Sequence, residues 1–345
     1  MTIFLPVLLA GVLAGPPSNP IRVVTSLSTF ASIAREVTGD RAIVTSIAEG
    51  DEDPHFVQPR PSFVPLLRDA DLFVTSGMDL ELWVSALLDR AGNGKVRVGG
   101  VGYVAGSQGV HILEVPTSLS RSEGDIHVDG NPHIQTDPIN GVIIARNILA
   151  GLQRVDPANG EYYAGREHDF EERLLKALYG DELVRILTPA TLLDLARNGR
   201  EMAFFQRTNY QGRPLITRLG GWMQQIAPIR TAEMVCYHKE WVYLTERFGP
   251  SCVEYLEPKP GIPPTPRHVQ EVIALMRERH IRVLFSANFY DRSQIREIAQ
   301  RTNGTAVIVP ANTRGAPGVE TYFDLVNTWV NGLVQGFTAT PSGAP

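Results

Sequence analysis

The sequence predicts an α/β protein of two lobes, each a parallel sheet covered by helices, joined by a long helix. Three observations carry this. Short apolar runs alternate with amphipathic segments in both halves of the chain. A long, heavily charged helical stretch separates the halves. The length, 345 residues, suits two ordinary cores better than one.

In order, IRVVTS (21–26) reads as a strand, and STFASIAREV (28–37) as a helix whose Ser/Thr start could cap it. AIVTSIA (42–48) is a second strand running into a proline-rich loop, DPHFVQPRP (53–61). SFVPLLRDA reads as helix, DLFVTSG (71–77) as strand and LELWVSALLDRAG as helix, and VRVGGVGYV (96–104) closes the first half. A polar segment follows, about 106–136. NGVIIARNILAGLQRV (140–155) then starts behind Asp137-Pro138, a good N-cap and first-turn pair. The next helix begins after Asp156-Pro157. Its mixed faces suit a bridge between lobes, because a packed surface helix would show a cleaner apolar stripe. EMVCYH (233–238), VEYLEP (253–258), RVLFSAN (282–288) and TAVIVPA (305–311) repeat the strand rhythm, with helices between and TYFDLVNTWVNGLVQGF last. The expected divisions are a first lobe over 20–155, a linking helix over 156–182 and a second lobe over 183–345.

Residues 3–15, IFLPVLLAGVLAG, form a 13-residue apolar run. That is shorter than the ~20 residues a membrane-spanning helix takes. The run reads as the hydrophobic region of a secretory signal over about residues 1–19, so the protein is expected to be exported. No cysteine follows it, so a lipid anchor is not expected. The net charge of −5, without a run of Lys or Arg, argues against a nucleic-acid partner. Cys236 and Cys252 could pair in an oxidising compartment or stand as two buried thiols.

The chemistry gathers at strand ends, where open parallel sheets bind ligands. His55 follows AIVTSIA, His238 closes EMVCYH, and His133 lies in GNPHIQTDP (130–138) before the helix capped by Asp137. If the lobes face each other, the three converge. Three neutral imidazoles suit Zn²⁺; Mn²⁺ leans toward carboxylates. Prolines beside His55 and His133 stiffen the backbone, so less entropy is lost on capture. His127, six residues before His133, is a candidate accessory or capture ligand, with Asp125 and Asp129 around it read as solvated acids. His111, His168, His268 and His280 read as surface residues.

Together DPHFVQPRPS, GDIHVDGNPHIQTDP, LGGWMQQIAPIR, CYHKEWVYLTERFG and EPKPGIPPTPRH resemble the zinc/manganese solute-binding proteins of bacterial ABC importers (cluster A-I), over about residues 20–340. The resemblance implies two Rossmann-like lobes on a rigid backbone helix, modest closure, and one metal in the cleft held by His55, His133 and His238. It also implies delivery to an ABC permease in the cytoplasmic membrane. A periplasmic metallochaperone and a monomeric state go with that expectation. The family's usual fourth ligand, an Asp or Glu of the second lobe, is missing from VIVPANTRG (307–315) and FSANFYD (285–291). Water, Asn288, Asn312, Asp291 or an inward-folding His127 are the alternatives for that fourth position, and an open position is the geometry catalytic zinc uses.

The leading reading is a Zn²⁺-capturing importer component, whose affinity would fall as pH drops through the ~6.5 of unperturbed histidine. A manganese-binding component shares the fold. A three-histidine zinc hydrolase is the enzymatic alternative. Against it, there is no HExxH, and Glu240, the one acid near a ligand, is expected to face solvent. A metal-free adhesin or sensor is the remaining alternative, motivated by the missing acid.

Overall fold

The computed structural model describes residues 20–116, 127–257 and 261–339. The apolar N-terminal run and Asp125 lie outside the described residues. The first sheet comprises β1 (Ile21–Thr25), β2 (Ala42–Ser46), β3 (Leu72–Thr75) and β4 (Tyr103–Ala105), in the order β2-β1-β3-β4 and all parallel. Its helices are α1 (Ser28–Thr38), α2 (Phe63–Arg68), α3 (Val84–Ala91) and α4 (Pro138–Val155). β3 is buried along its whole length, as expected for a parallel strand covered on both faces.

The long connector is α5 (Gly160–Tyr179), followed by three short helices, α6 (Asp181–Leu187), α7 (Pro189–Arg197) and α8 (Glu201–Arg207). A two-stranded antiparallel hairpin, β5 (Asn209–Tyr210) and β6 (Arg213–Pro214), and α9 (Gly221–Ile226) come next. The second sheet holds β7 (Glu233–Cys236), β8 (Ser251–Tyr255), β9 (Val283–Ala287) and β10 (Thr305–Val309), in the parallel order β10-β9-β7-β8. Around it lie α10 (Val242–Phe248), α11 (Pro266–Glu278), α12 (Arg292–Arg301) and α13 (Tyr322–Thr338). Among the described residues no helix is long and apolar enough to cross a membrane.

Three details differ from expectation. The Ser/Thr start of α1 does not cap it. The N-cap is Leu27, without a side-chain bond, while Ser28 Oγ donates to Thr313 O at 2.6 Å and Thr29 Oγ1 to Asn312 Oδ1 at 2.8 Å. These hydroxyls tie the first lobe to the loop after β10. Next, α5 does bury a stripe, Tyr163, Glu167, Phe170, Leu174 and Leu178. The stripe looks mixed in sequence because it carries acids: Arg146 of α4 pairs with Glu171 at 2.6 Å and Glu167 at 3.6 Å. The third difference is that α6, α7 and α8 occupy a stretch in which the sequence reading above places no element.

The lobes are held firmly. α5 packs on α1 and α4 at one end and on α9 at the other. Its end comes so close to α9 that a Cβ on Gly180 would lie 2.7 Å from Gly220 Cα, and Gly180 has φ +88°, so only glycine serves there. A contiguous apolar core runs through both sheets. Asp137 caps α4 as expected, accepting from Ile139 N at 2.9 Å, and also pairs with the buried Arg247 of α10 at 2.9 Å. Tyr322, opening α13, donates to Gln135 O at 2.8 Å.

Candidate metal centre

β2 runs straight into the loop carrying His55, and Trp83 Nε1 pins that loop by donating to Pro54 O at 2.8 Å. His133 sits just before α4, on a segment buried from Asn131 onward. His238 follows β7, whose neighbours β9 and β8 lie on either side, so it stands at the point where strand order reverses. The three are 8%, 3% and 1% exposed, by side chain for His55 and His238. Their ligand atoms lie within 4.8 Å of one another. Ring centroids are 5.0 Å apart for His55–His133, 5.6 Å for His55–His238 and 5.7 Å for His133–His238.

Each ring is turned by a bond on its far nitrogen. His55 Nδ1 meets Asp53 Oδ1 at 2.8 Å, His133 Nδ1 meets Asn131 Oδ1 at 3.0 Å, and His238 Nδ1 meets the Glu257 carbonyl at 3.3 Å. Oxygen acceptors there place the proton on Nδ1 and the lone pair on Nε2. The Asn131 amide orientation is set independently, since its Nδ2 donates to Glu114 Oε2 and Lys239 O. All three Nε2 atoms are buried without a hydrogen-bond partner. Buried, unpartnered polar atoms are costly unless something binds them. Three lone pairs converging this way fit a divalent metal ion.

Burial holds His133 well below the ordinary histidine range and His238 down to about 3, helped in both by neighbouring imidazoles. This revises the expected pH response: these two rings stay neutral well below the ~6.5 of free histidine.

His127 stands beside the trio rather than within it. Its ring is 5.4 Å from His55 and 5.9 Å from His133, its Nε2 is also buried and unpartnered, and its Nδ1 meets Asp79 Oδ1 at 2.8 Å. Burial alone would raise Asp79, but the bonds from His127 and from Val128 N hold its carboxyl below the usual range.

The oxygen candidates separate. Asp291 is exposed and caps α12, accepting from Ser293 N and Gln294 N. Asn312 accepts from Thr29. Asn288 donates to Gly315 O at 2.7 Å and keeps a buried Oδ1 without a partner. Glu240 corrects the sequence reading: it does not face solvent but is 2% exposed, with neither carboxylate oxygen hydrogen-bonded. Burial, with Asp53 and Glu257 nearby, pushes it up to about 8. Among the surface-assigned histidines, His268 is only partly exposed, with its Nε2 bonded to Tyr255 O at 2.8 Å.

The sequence reading missed the orienting residues. A signal was present: D-P-H and N-P-H share one form. Asp53 and Asn131 each accept from the histidine backbone N–H two residues on, at 3.0 and 3.1 Å, as well as from its ring.

Comparison with known proteins identifies the family. The family described as zinc-uptake complex component A, periplasmic, matches residues 23–179 and 215–336. The iron-binding protein YfeA of Yersinia pestis is 27% identical, over 93% of this chain and 87% of its own. The manganese ABC transporter substrate-binding lipoprotein PsaA of Streptococcus pneumoniae is 30% identical over 46% of this chain and 49% of its own. In fold, the chain resembles a zinc-bound ZnuA deletion mutant, with TM-score 0.66 and 17% identity over 93% of this chain and 100% of that one. It also resembles a Mn-bound periplasmic metal-binding protein from Candidatus Liberibacter asiaticus, with TM-score 0.64 and 18% identity over 91% and 98% of the two chains. The chain belongs to the periplasmic zinc-uptake component A family, and is thus the metal-binding, solute-binding component of an ABC importer rather than an enzyme.

Proposed function

We propose that this protein captures Zn²⁺ through the Nε2 atoms of His55, His133 and His238 and carries it to the permease of its importer. The observation that supports this is the convergence of three buried, unpartnered Nε2 atoms, each oriented through Nδ1. An all-imidazole set is borderline-soft and suits Zn²⁺ better than Mn²⁺, whose preference is for carboxylate oxygen. Among the described residues no Asp or Glu has a ligand atom in the 4.8 Å group. His127, with a free Nε2 at the edge, supplies a fourth imidazole when its ring moves inward.

The periplasmic reading rests on the family and on the apolar N-terminal run. Release to a permease needs an accessible face, and Phe56 and Val128, the neighbours of His55 and His127, are 52% and 51% exposed. We infer that they touch the permease.

A manganese or iron cargo is the second reading, favoured by the printed names of two relatives and by Glu240, a buried carboxylate two residues from His238 with both oxygens unpartnered. The deciding experiment is a competition titration of metal-stripped protein with Zn²⁺ and Mn²⁺, on the parent, His55→Ala, His133→Ala, His238→Ala and Glu240→Gln. Nanomolar Zn²⁺ binding, about −12 kcal/mol, weakened by each histidine change and untouched by Glu240→Gln, is the expected result. Tighter Mn²⁺ than Zn²⁺ binding, lost in Glu240→Gln, would overturn it.

A further inference from the structure

The ligand histidines lie deep. Each Nε2 is buried, and His238 as a whole is 1% exposed. An ion reaches or leaves them only when something around the cluster moves. The joints between the lobes that flank the cluster differ in kind, and the weakest of them opens first.

Behind the cluster, the start of α1 meets the loop after β10. Ser28 Oγ donates to Thr313 O at 2.6 Å, Thr29 Oγ1 to Asn312 Oδ1 at 2.8 Å, and Thr313 N to Thr29 Oγ1 at 3.2 Å. A Cβ on Gly50 would lie 2.1 Å from Thr313 O, so the two backbones touch there. Beside His133, Asn131 Nδ2 donates to Lys239 O at 2.9 Å, and the Tyr243 hydroxyl donates to Asn131 O at 2.7 Å. Parting the lobes at either joint would leave several polar groups without partners.

The joint at the mouth is apolar. Phe56, next to His55, reaches across to Gly261 of the second lobe, where a Cβ would lie 2.8 Å from Phe56 Cζ. Gly261 N in turn donates to Glu257 Oε1 at 2.9 Å, and the Glu257 carbonyl orients His238. The ring therefore bridges the segments that hold His55 and His238. It is 52% exposed. Among the described residues no hydrogen bond runs from the 53–61 loop to the second lobe. A half-exposed apolar contact is easier to break than either hydrogen-bonded joint. The ring can swing about its own side-chain bonds while Asp53 keeps His55 in place.

We propose that Phe56 is the gate of the metal centre: its ring, seated on Gly261, closes the mouth, and its displacement, rather than separation of the lobes, sets the rate at which metal enters and leaves. The proposal rests on the histidine cluster being the cargo site. It also gives the permease contact at Phe56 a consequence, because a partner that draws the ring off Gly261 opens the centre behind it.

The test is kinetic. Zn²⁺-loaded full-length protein is mixed with excess chelator in a stopped-flow instrument, and stripped protein is mixed with Zn²⁺ for the reverse step. Phe56→Ala exchanges Zn²⁺ about ten-fold faster in both directions, as expected for losing a half-buried ring from the closed state. Its equilibrium affinity stays within about three-fold of the parent, because the ring makes no bond to the metal. Gly261→Ala, whose Cβ takes the ring's seat, also speeds exchange, and the double variant is no faster than Phe56→Ala. Thr29→Val and Ser28→Ala, which loosen the joint behind, leave both rates within about two-fold of the parent.

Rates unmoved by Phe56→Ala would overturn the gate, as would faster exchange in the Ser28 and Thr29 variants. Additive effects in the double variant would do the same, since they mark a strained loop rather than a displaced ring. An affinity loss as large as the gain in release rate would make Phe56 a support for His55 instead. Tight Zn²⁺ binding that is lost in His133→Ala but exchanges at a rate indifferent to Phe56 would sink the gate alone, whereas a parent without tight Zn²⁺ binding would remove cargo and gate together.

Discussion

Asp53 holds His55 twice: one carboxylate oxygen accepts from the His55 backbone N–H at 3.0 Å and from its Nδ1 at 2.8 Å. The pair explains why a histidine sits among prolines. The loop stiffens the backbone, and the aspartate fixes ring and tautomer. Partners of this kind are worth about 10- to 100-fold in metal affinity. Asp53→Ala is therefore expected to weaken Zn²⁺ binding by that range while leaving the fold intact, read by chelator competition and circular dichroism. Asn131→Ala should weaken binding similarly and also lower stability, because the Asn131 side chain additionally donates to Glu114 and to the Lys239 carbonyl.

Stability of the stripped protein should fall on acidification. His133 and His238 stay neutral in the fold, while the unfolded chain takes up protons below ~6.5. Between that pH and the folded value of about 3 for His238, the unfolded state binds more protons, so stability decreases as pH drops. Thermal unfolding at pH 7 and pH 5 reads this directly, and Zn²⁺ should raise the midpoint at both. An unchanged midpoint at pH 5 would mean the rings are not held neutral.

Glu240 has the opposite sign. Its folded value of about 8 means the fold keeps a proton that the unfolded chain gives up above the ordinary carboxyl range. Its contribution is lost as pH rises from the unfolded value to about 8. Glu240→Gln is expected to match the parent near pH 5 and to exceed it by on the order of a few kcal/mol near pH 8. Denaturant titrations of both proteins at the two pH values give the comparison.

Cys236 and Cys252 form a disulfide between β7 and β8, with Cα atoms 5.5 Å apart. Cys236 lies two residues before His238. Closing a loop of this size contributes about 3 kcal/mol. Cys252→Ser should lower the denaturation midpoint accordingly and weaken Zn²⁺ binding by loosening the end of β7. Equal affinity in variant and parent would place His238 under the control of β9 instead.

Transport and binding should separate at the rim. Phe56→Asp and Val128→Asp leave both Nδ1 bonds in place, so Zn²⁺ affinity should hold while uptake by cells carrying the importer falls. Normal uptake would remove this face from permease contact.

Much of the architecture follows from the sequence alone, because apolar runs of strand length between amphipathic segments have few ways to hide both faces. Asp137-Pro138 announced α4, and His55, His133 and His238 could be placed at strand and loop ends. The resemblance carried by DPH, NPH and CYH ordered those ends into one site. Only tertiary structure decided the rest. Glu240 reads as a solvated helix residue, yet the folded protein leaves it 2% exposed. The acids of α5 look like a solvent face until Arg146 arrives from α4 to neutralise them. Ser28 and Thr29 look like a cap until the loop after β10 offers Thr313 and Asn312. Each case turns on a partner far away in the chain, and local pattern carries no information about a neighbour that arrives only when the lobes pack. The convergence of the Nε2 lone pairs is of the same kind: residue type was legible at each position, but the direction of each ring came from Asp53, Asn131 and the Glu257 carbonyl.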